Sequence, residues 1–265
     1  MRPILFHLGS FAIRSYTFSV TTAFIVSIVV VLLLGRKQKL PTKELAAYLL
    51  FGVGVCIIGS RLYLYFSDLF LQPGFYIRNP GELFKAPFFH GKSFYGAVIA
   101  GILFSIWYLP RVRLPVWKVA DIVGTGTALG YSVARVGCFL GGCCYGRPTD
   151  VPWAVTFPGL ESPRHPTQLY ESGLNFLSFV FLLAALPKKK FDGQIICFDI
   201  VINSLVRFFI EYFRGDPGRG FVFRGDSAYF SVSVPQLFSL LGVAAGVILY
   251  AVLKKKGGRG SRILI

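Results

Sequence analysis

The chain of 265 residues is 54% hydrophobic and only 15% charged, against roughly 25% charged residues in an average soluble domain. That balance excludes an ordinary soluble globule and points to a polytopic helical membrane protein, each span of which needs about 20 mostly apolar residues. The 28 Lys and Arg against 12 Asp and Glu give a formal charge of +16, but the basic residues sit between apolar runs, so they read as topology signals and not as a nucleic-acid surface.

Charge-poor runs at Ser15 to Gly35, Leu45 to Phe66, Ser93 to Pro110, Ile122 to Ala134, Ser172 to Pro187, Gly193 to Ile210 and Asp226 to Leu253 predict an all-α protein with seven transmembrane helices, forming a single integral-membrane domain over residues 1–265. No clear cleavage site follows the first apolar residues, so the first span is expected to be retained. Arg61, Asp121, Asp199 and Arg207 fall inside apolar runs, where an ionised group is costly enough to mark a function or a pairing.

The first-to-second connection carries Arg36, Lys37, Lys39 and Lys43, the third-to-fourth Arg111, Arg113 and Lys118, the fifth-to-sixth Lys188, Lys189 and Lys190, and the tail Lys254, Lys255, Lys256, Arg259 and Arg262. These basic segments alternate with the others, which places them and the C-terminus in the cytoplasm and the N-terminus outside. The connections Gln72 to Lys92, Gly137 to Gln168 and Tyr212 to Phe230 are then extracytoplasmic. They are long, and long loops in compact proteins are usually functional.

The fourth span ends on Arg135, followed by a Cys- and Gly-rich stretch through Asp150. Cys138, Cys143 and Cys144 with His165 make an inventory of zinc ligands, but the adjacent pair departs from the usual two-residue spacing. Packing or a Cys138 to Cys143 disulfide is the expectation, with no metal, and His165 reads as a structural loop residue. Arg164 to Glu171 reads as a helix start with Pro166 at an early position and Glu171 near the positive end of the dipole. In the sixth run Asp199, Asn203, Arg207, Glu211 and Arg214 recur at steps of four and three, a polar stripe whose arginines suit a phosphate.

Four motifs then stand in order: Gly146-Arg147-Pro148-Thr149, His165-Pro166-Thr167-Gln168-Leu169-Tyr170-Glu171, Arg207-Phe208-Phe209-Ile210-Glu211-Tyr212-Phe213-Arg214 and Val234-Pro235-Gln236-Leu237-Phe238-Ser239. Their order and spacing resemble the prolipoprotein diacylglyceryl transferase family over nearly the whole chain. The resemblance implies a multi-pass enzyme of the bacterial cytoplasmic (inner) membrane that needs no cofactor. It would move the diacylglyceryl group of phosphatidylglycerol onto the lipobox cysteine thiol of a prolipoprotein, releasing glycerol phosphate. It further implies that Arg135 binds the phosphate with Arg214 in support, that Tyr16 sits at the lipid entrance, and that Arg207 and Glu211 act in catalysis. The family's Ser-Phe-His-Gly-Gly stands here as Ser93-Phe94-Tyr95-Gly96-Ala97, which puts Tyr95 in the histidine's place as a third catalytic residue, although a phenol with pKa about 10 is a poor base. Cys138 and Cys143 replace the family's asparagine and glutamate. The same arginines would also suit a transporter or channel for an anionic lipid or phosphate, and the cysteines a membrane metal or redox protein.

Overall fold

A computed structural model describes residues 4–8, 11–71, 78, 93–215, 220–223 and 232–260. Seven long helices run through them: α1 Ser15–Lys37, α2 Thr42–Leu71, α3 Ser93–Arg111, α4 Val116–Gly141, α5 Thr167–Ala185, α6 Gln194–Glu211 and α7 Val234–Gly260. Helical class follows the sequence expectation, with two short antiparallel hairpins added to it. β1 (Ile4–Leu8) pairs with β2 (Phe11–Arg14), and β3 (Phe221–Phe223) with β4 (Val232–Ser233). The seventh apolar run was expected from Asp226, but the described helix begins at Val234 and residues 224–231 lie outside the described set.

Burial is inverted relative to a soluble bundle. On α5 the buried positions are Thr167, Gln168, Glu171, Ser172, Asn175 and Ser178, with Leu182 as the apolar exception. Leu174, Phe176, Leu177, Val180 and Phe181 on the same helix are exposed. Water would penalise such a surface heavily, whereas hydrocarbon accepts it and the polar face turns inward to find partners. Helices α1, α2, α5 and α7 are each long and apolar enough to cross a membrane, and α3 contributes the shorter apolar stretch Gly96–Arg111. The protein is a multi-pass membrane protein.

Two compact units emerge, one of residues 35–116 and the other of residues 1–34 with 117–265. The first is built on α2 and α3, which approach closely because small residues face each other. A Cβ added at Gly96 would lie 2.5 Å from the Gly59 carbonyl oxygen, so neither position has room for a side chain. Tyr48 stacks on Phe104 with centroids 5.8 Å apart, and its hydroxyl meets Ser105 Oγ at 2.8 Å.

The second unit packs α1 on α4, α5 on α6 and α6 on α7. Along α4, Gly126, Gly130 and Gly137 recur on one side and meet Val31, Ser27 and Ser19 of α1, so that the backbones approach at van der Waals contact. Asp121 joins three elements at the far end from the site described below. It is fully buried, and its carboxylate accepts the backbone N–H groups of Gly193, Ile195 and Ile196 at 2.9 to 3.0 Å and Lys189 Nζ at 2.8 Å. A helix start needs acceptors for its first amides, and α6 obtains them from α4 instead of from its own leading residue, Gly193. Burial works against the charge on Lys189, but hydrogen bonds and attraction from Asp121 and Asp192 outweigh it and hold its pKa above the ordinary lysine value.

Candidate active site

Helix α4 ends in a glycine-terminated cap. Gly142 adopts φ 73°, its N–H donates to Phe139 O at 3.1 Å, and the N–H of Cys143 reaches Cys138 O at 3.1 Å. This is the double hydrogen bond of a Schellman motif, which brings the side chain of the second residue beyond the cap back onto the last helical turn. Those two residues are Cys143 and Cys138. The next residue, Cys144, also takes a left-handed conformation, φ 64°, which is costly for a side chain larger than glycine's. Helix α5 holds the turn in place: Thr167 Oγ1 donates to Cys144 O at 3.0 Å and Gln168 Nε2 to Cys143 O at 2.6 Å. The His165-Pro166-Thr167-Gln168 motif thus acts here as a clamp on the cysteine turn.

The turn runs on into a strand-like segment that fixes the next arginine. Gly146 bridges to Arg214, and Arg147 N–H donates to Phe213 O at 2.8 Å. A side chain at Gly146 would meet Phe213 O at 2.5 Å, so this crossing requires glycine. His165 lies against the Tyr170 and Phe213 rings, with Nδ1 3.2 Å from Tyr170 Oη. Burial and the neighbouring Arg147 charge lower its pKa, as suits a packed neutral imidazole.

At the same end of this unit, charge gathers around one carboxylate. Glu171 of α5 is 3% exposed and pairs with Arg135 Nε of α4, with Arg207 Nη1 of α6 at 3.4 Å and with Arg214 Nη1 at 3.9 Å. Tyr131 Oη donates at 3.0 Å to Glu171 Oε2, the oxygen that Arg135 meets, and also receives Arg135 Nη2, while Arg207 and Arg214 face Oε1. Arg207 reaches Glu211 at 2.9 Å. Three guanidiniums against two carboxylates leave one net positive charge, and Arg207, 32% exposed, is the most accessible of the three. Guanidiniums fixed in this way have the chemistry to receive an anion, with Glu171 orienting the donors.

The polar stripe read along the sixth run divides in two. Arg207 and Glu211 join the cluster, and Arg214 joins it from beyond the helix, after α6 has ended at Glu211. Asp199 and Asn203 pair with each other, Asn203 Nδ2 donating to Asp199 Oδ1 at 2.6 Å. Tyr16 lies within electrostatic range of Arg135, Cys138, Cys143 and Cys144. Tyr95 belongs to α3 by its backbone, but its side chain lies outside the described residues. Of the two alternatives expected for Cys138 and Cys143, packing or a disulfide, the disulfide is not formed: all five cysteines are free thiols. Sequence reasoning gave Glu171 only a helix-dipole role, and it missed Tyr131, Thr167 and Gln168 as parts of the site.

The fold and site together define a multi-pass membrane protein whose polar interior gathers three arginines around a buried carboxylate. Over residues 3–252 the chain matches the sequence profile described as prolipoprotein diacylglyceryl transferase. It belongs to that family of lipid-transferring enzymes. Relatives include the phosphatidylglycerol–prolipoprotein diacylglyceryl transferase of Campylobacter curvus, 31% identical over 264 residues, covering 96% of this chain and 94% of that protein. The protein of the same name from Polynucleobacter necessarius is 33% identical over 266 residues, covering 96% of each. That of Clostridium tetani is 32% identical over 259 residues, covering 94% of this chain and 97% of its own.

Proposed function

We propose that this chain transfers the diacylglyceryl group of phosphatidylglycerol to the lipobox cysteine thiol of a prolipoprotein, working as one domain in the bacterial cytoplasmic membrane. In this reading seven spans cross the bilayer, with the N-terminus and the arginine cluster on the outer side and the C-terminus in the cytoplasm. The observation that carries it is the buried carboxylate of Glu171 gathering Arg135, Arg207 and Arg214.

A phosphodiester carries one negative charge, matching the net charge of the cluster. When the carbon–oxygen bond to phosphate breaks, that oxygen gains charge, and guanidiniums already in place stabilise it without reorganisation. Arg207 and Glu211 act at the reacting phosphate, Arg135 and Arg214 hold it, and Tyr16 lies at the lipid entrance. The acceptor thiol must lose its proton to attack carbon, since its unperturbed pKa is near 8.5.

Reconstitution into phosphatidylglycerol vesicles with a lipobox peptide tests the reading. A peptide gaining a thioether-linked diacylglyceryl group supports it. Lipid carried across the bilayer intact, with the peptide unchanged, would replace it by a transporter.

A further inference from the structure

The cysteine turn has a geometry that packing alone does not require. The Sγ atoms of Cys138, Cys143 and Cys144 all lie within 4.8 Å of one another, and those of Cys143 and Cys144 are 3.6 Å apart. Bonds of about 2.3 Å from a tetrahedral zinc ion would place its thiolate sulfurs roughly 3.8 Å apart. The three sulfurs are therefore spaced for a shared cation and too far apart for a bond of about 2.05 Å between the adjacent pair.

Three devices hold them there. The Schellman cap folds Cys143 onto Cys138, the left-handed Cys144 brings the third sulfur to the same side, and Thr167 and Gln168 tie down the two carbonyls of the turn. A non-glycine residue kept in a left-handed conformation by outside hydrogen bonds is a mark of a functional position. Cys138 is buried and anchors the group, whereas Cys143 is exposed, so the cluster can be reached from outside.

We propose that Cys138, Cys143 and Cys144 bind a thiophilic divalent cation of the zinc class, whose open fourth position takes the acceptor cysteine thiol. Soft thiolates select such a cation, and three protein ligands with one exchangeable position is the pattern of catalytic rather than structural zinc sites. The metal claim stands on the cluster itself; the acceptor claim rests on the transferase reading above.

A thiol bound to such a cation is deprotonated, its proton passing to solvent. That supplies the activation that Tyr95, in the place of the family's histidine, is poorly suited to give. The bound sulfur then attacks the diacylglyceryl carbon. A carbon–sulfur bond forms as the carbon–oxygen bond breaks, and the electron pair leaves on the oxygen of glycerol phosphate.

The test uses the full chain in detergent micelles. Metal analysis after zinc loading and desalting is expected to give one equivalent. Cobalt substituted for zinc is expected to show sulfur-to-metal charge-transfer bands that change when a cysteine-containing lipobox peptide is added and stay unchanged with its serine counterpart. Zinc should protect three of the five cysteines of the unaltered protein from alkylation, leaving the labelling of Cys56 and Cys197 as it was. Cys144→Ser, in folded protein, should weaken zinc binding at least about tenfold.

A disulfide between any two of the three, or three thiols alkylated equally with and without zinc, would overturn the site. Bands indifferent to the cysteine peptide would overturn the acceptor claim. A protein that binds zinc and the cysteine peptide but transfers no lipid would count against the transferase reading and leave the metal site standing.

Discussion

Replacing Glu171 by glutamine keeps the side chain's size and removes the charge that three arginines share. At the observed 3.4 and 3.9 Å to Arg207 and Arg214, each attraction is worth roughly 4 to 5 kcal/mol at an effective dielectric of about 20. Much of this is offset by desolvation and by the partial exposure of Arg207, so the pairs do not sum to a net gain of that size. What the substitution does is take the shared negative charge from Arg135, 16% exposed, and Arg214, 14% exposed, both of them partly buried. Breaking a buried pair from one side is expected to lower stability by about 3 to 5 kcal/mol. Tyr131 retains an acceptor in the glutamine carbonyl, which limits the damage to charge rather than to hydrogen bonding. Thermal unfolding in detergent micelles, followed by tryptophan fluorescence, should show a clear fall in midpoint, and lipid transfer measured below that midpoint should fall as well. A Glu171→Gln protein that unfolds with the wild type and transfers lipid at its rate would refute the reasoning, because the cluster would then not depend on its central carboxylate.

Arg135→Lys and Arg207→Lys are expected to insert and fold yet lose on the order of 100-fold or more in turnover, since a point charge cannot reproduce the guanidinium fork; near-normal transfer by either folded variant would make that arginine structural. Asp121→Asn should destabilise the protein by about 3 to 5 kcal/mol, because it takes from Lys189 one of its two carboxylate partners and turns an NH2 group toward the first amides of α6; an unchanged unfolding midpoint would show that α6 needs no acceptor from α4. Reporter fusions after Lys190 and after Lys256 should read cytoplasmic and one at Asp150 extracytoplasmic; the reverse pattern would remove the outer-face site.

Helix positions were legible where charge marks their ends. Runs starting at Ser15 and ending at Ile210 differ from α1 and α6 by a residue or two. The fourth run, Ile122 to Ala134, falls short of α4 at both ends, because Asp121 and Arg135 belong to the helix and are neutralised by partners on other elements. No periodicity within one helix predicts such a partner. For the same reason the sixth run showed Arg207 next to Glu211, one turn apart, while the pairing of both Arg135 and Arg207 with Glu171 emerged only when α4, α5 and α6 were seen together. The cysteine cluster was more accessible. A glycine directly before Cys143, at the end of an apolar helix, is a cap signal, and reading it would have placed Cys143 on Cys138 without the structure. Tyr16 and Tyr95 were drawn from the family resemblance. Tyr16 lies within electrostatic range of Arg135 and the thiols, and the side chain of Tyr95 lies outside the described residues.

The transferase reading requires that the bond between diacylglycerol and phosphate be broken in step with a new bond to sulfur. Vesicles holding the protein and phosphatidylglycerol labelled in its headgroup glycerol, with a lipobox peptide outside, allow both products to be counted in one sample. The account predicts water-soluble labelled glycerol phosphate and thioether-lipidated peptide in a one-to-one ratio, with neither formed when the peptide's cysteine is serine. Headgroup release that is independent of the cysteine, or labelled lipid recovered intact beside unmodified peptide, would contradict it.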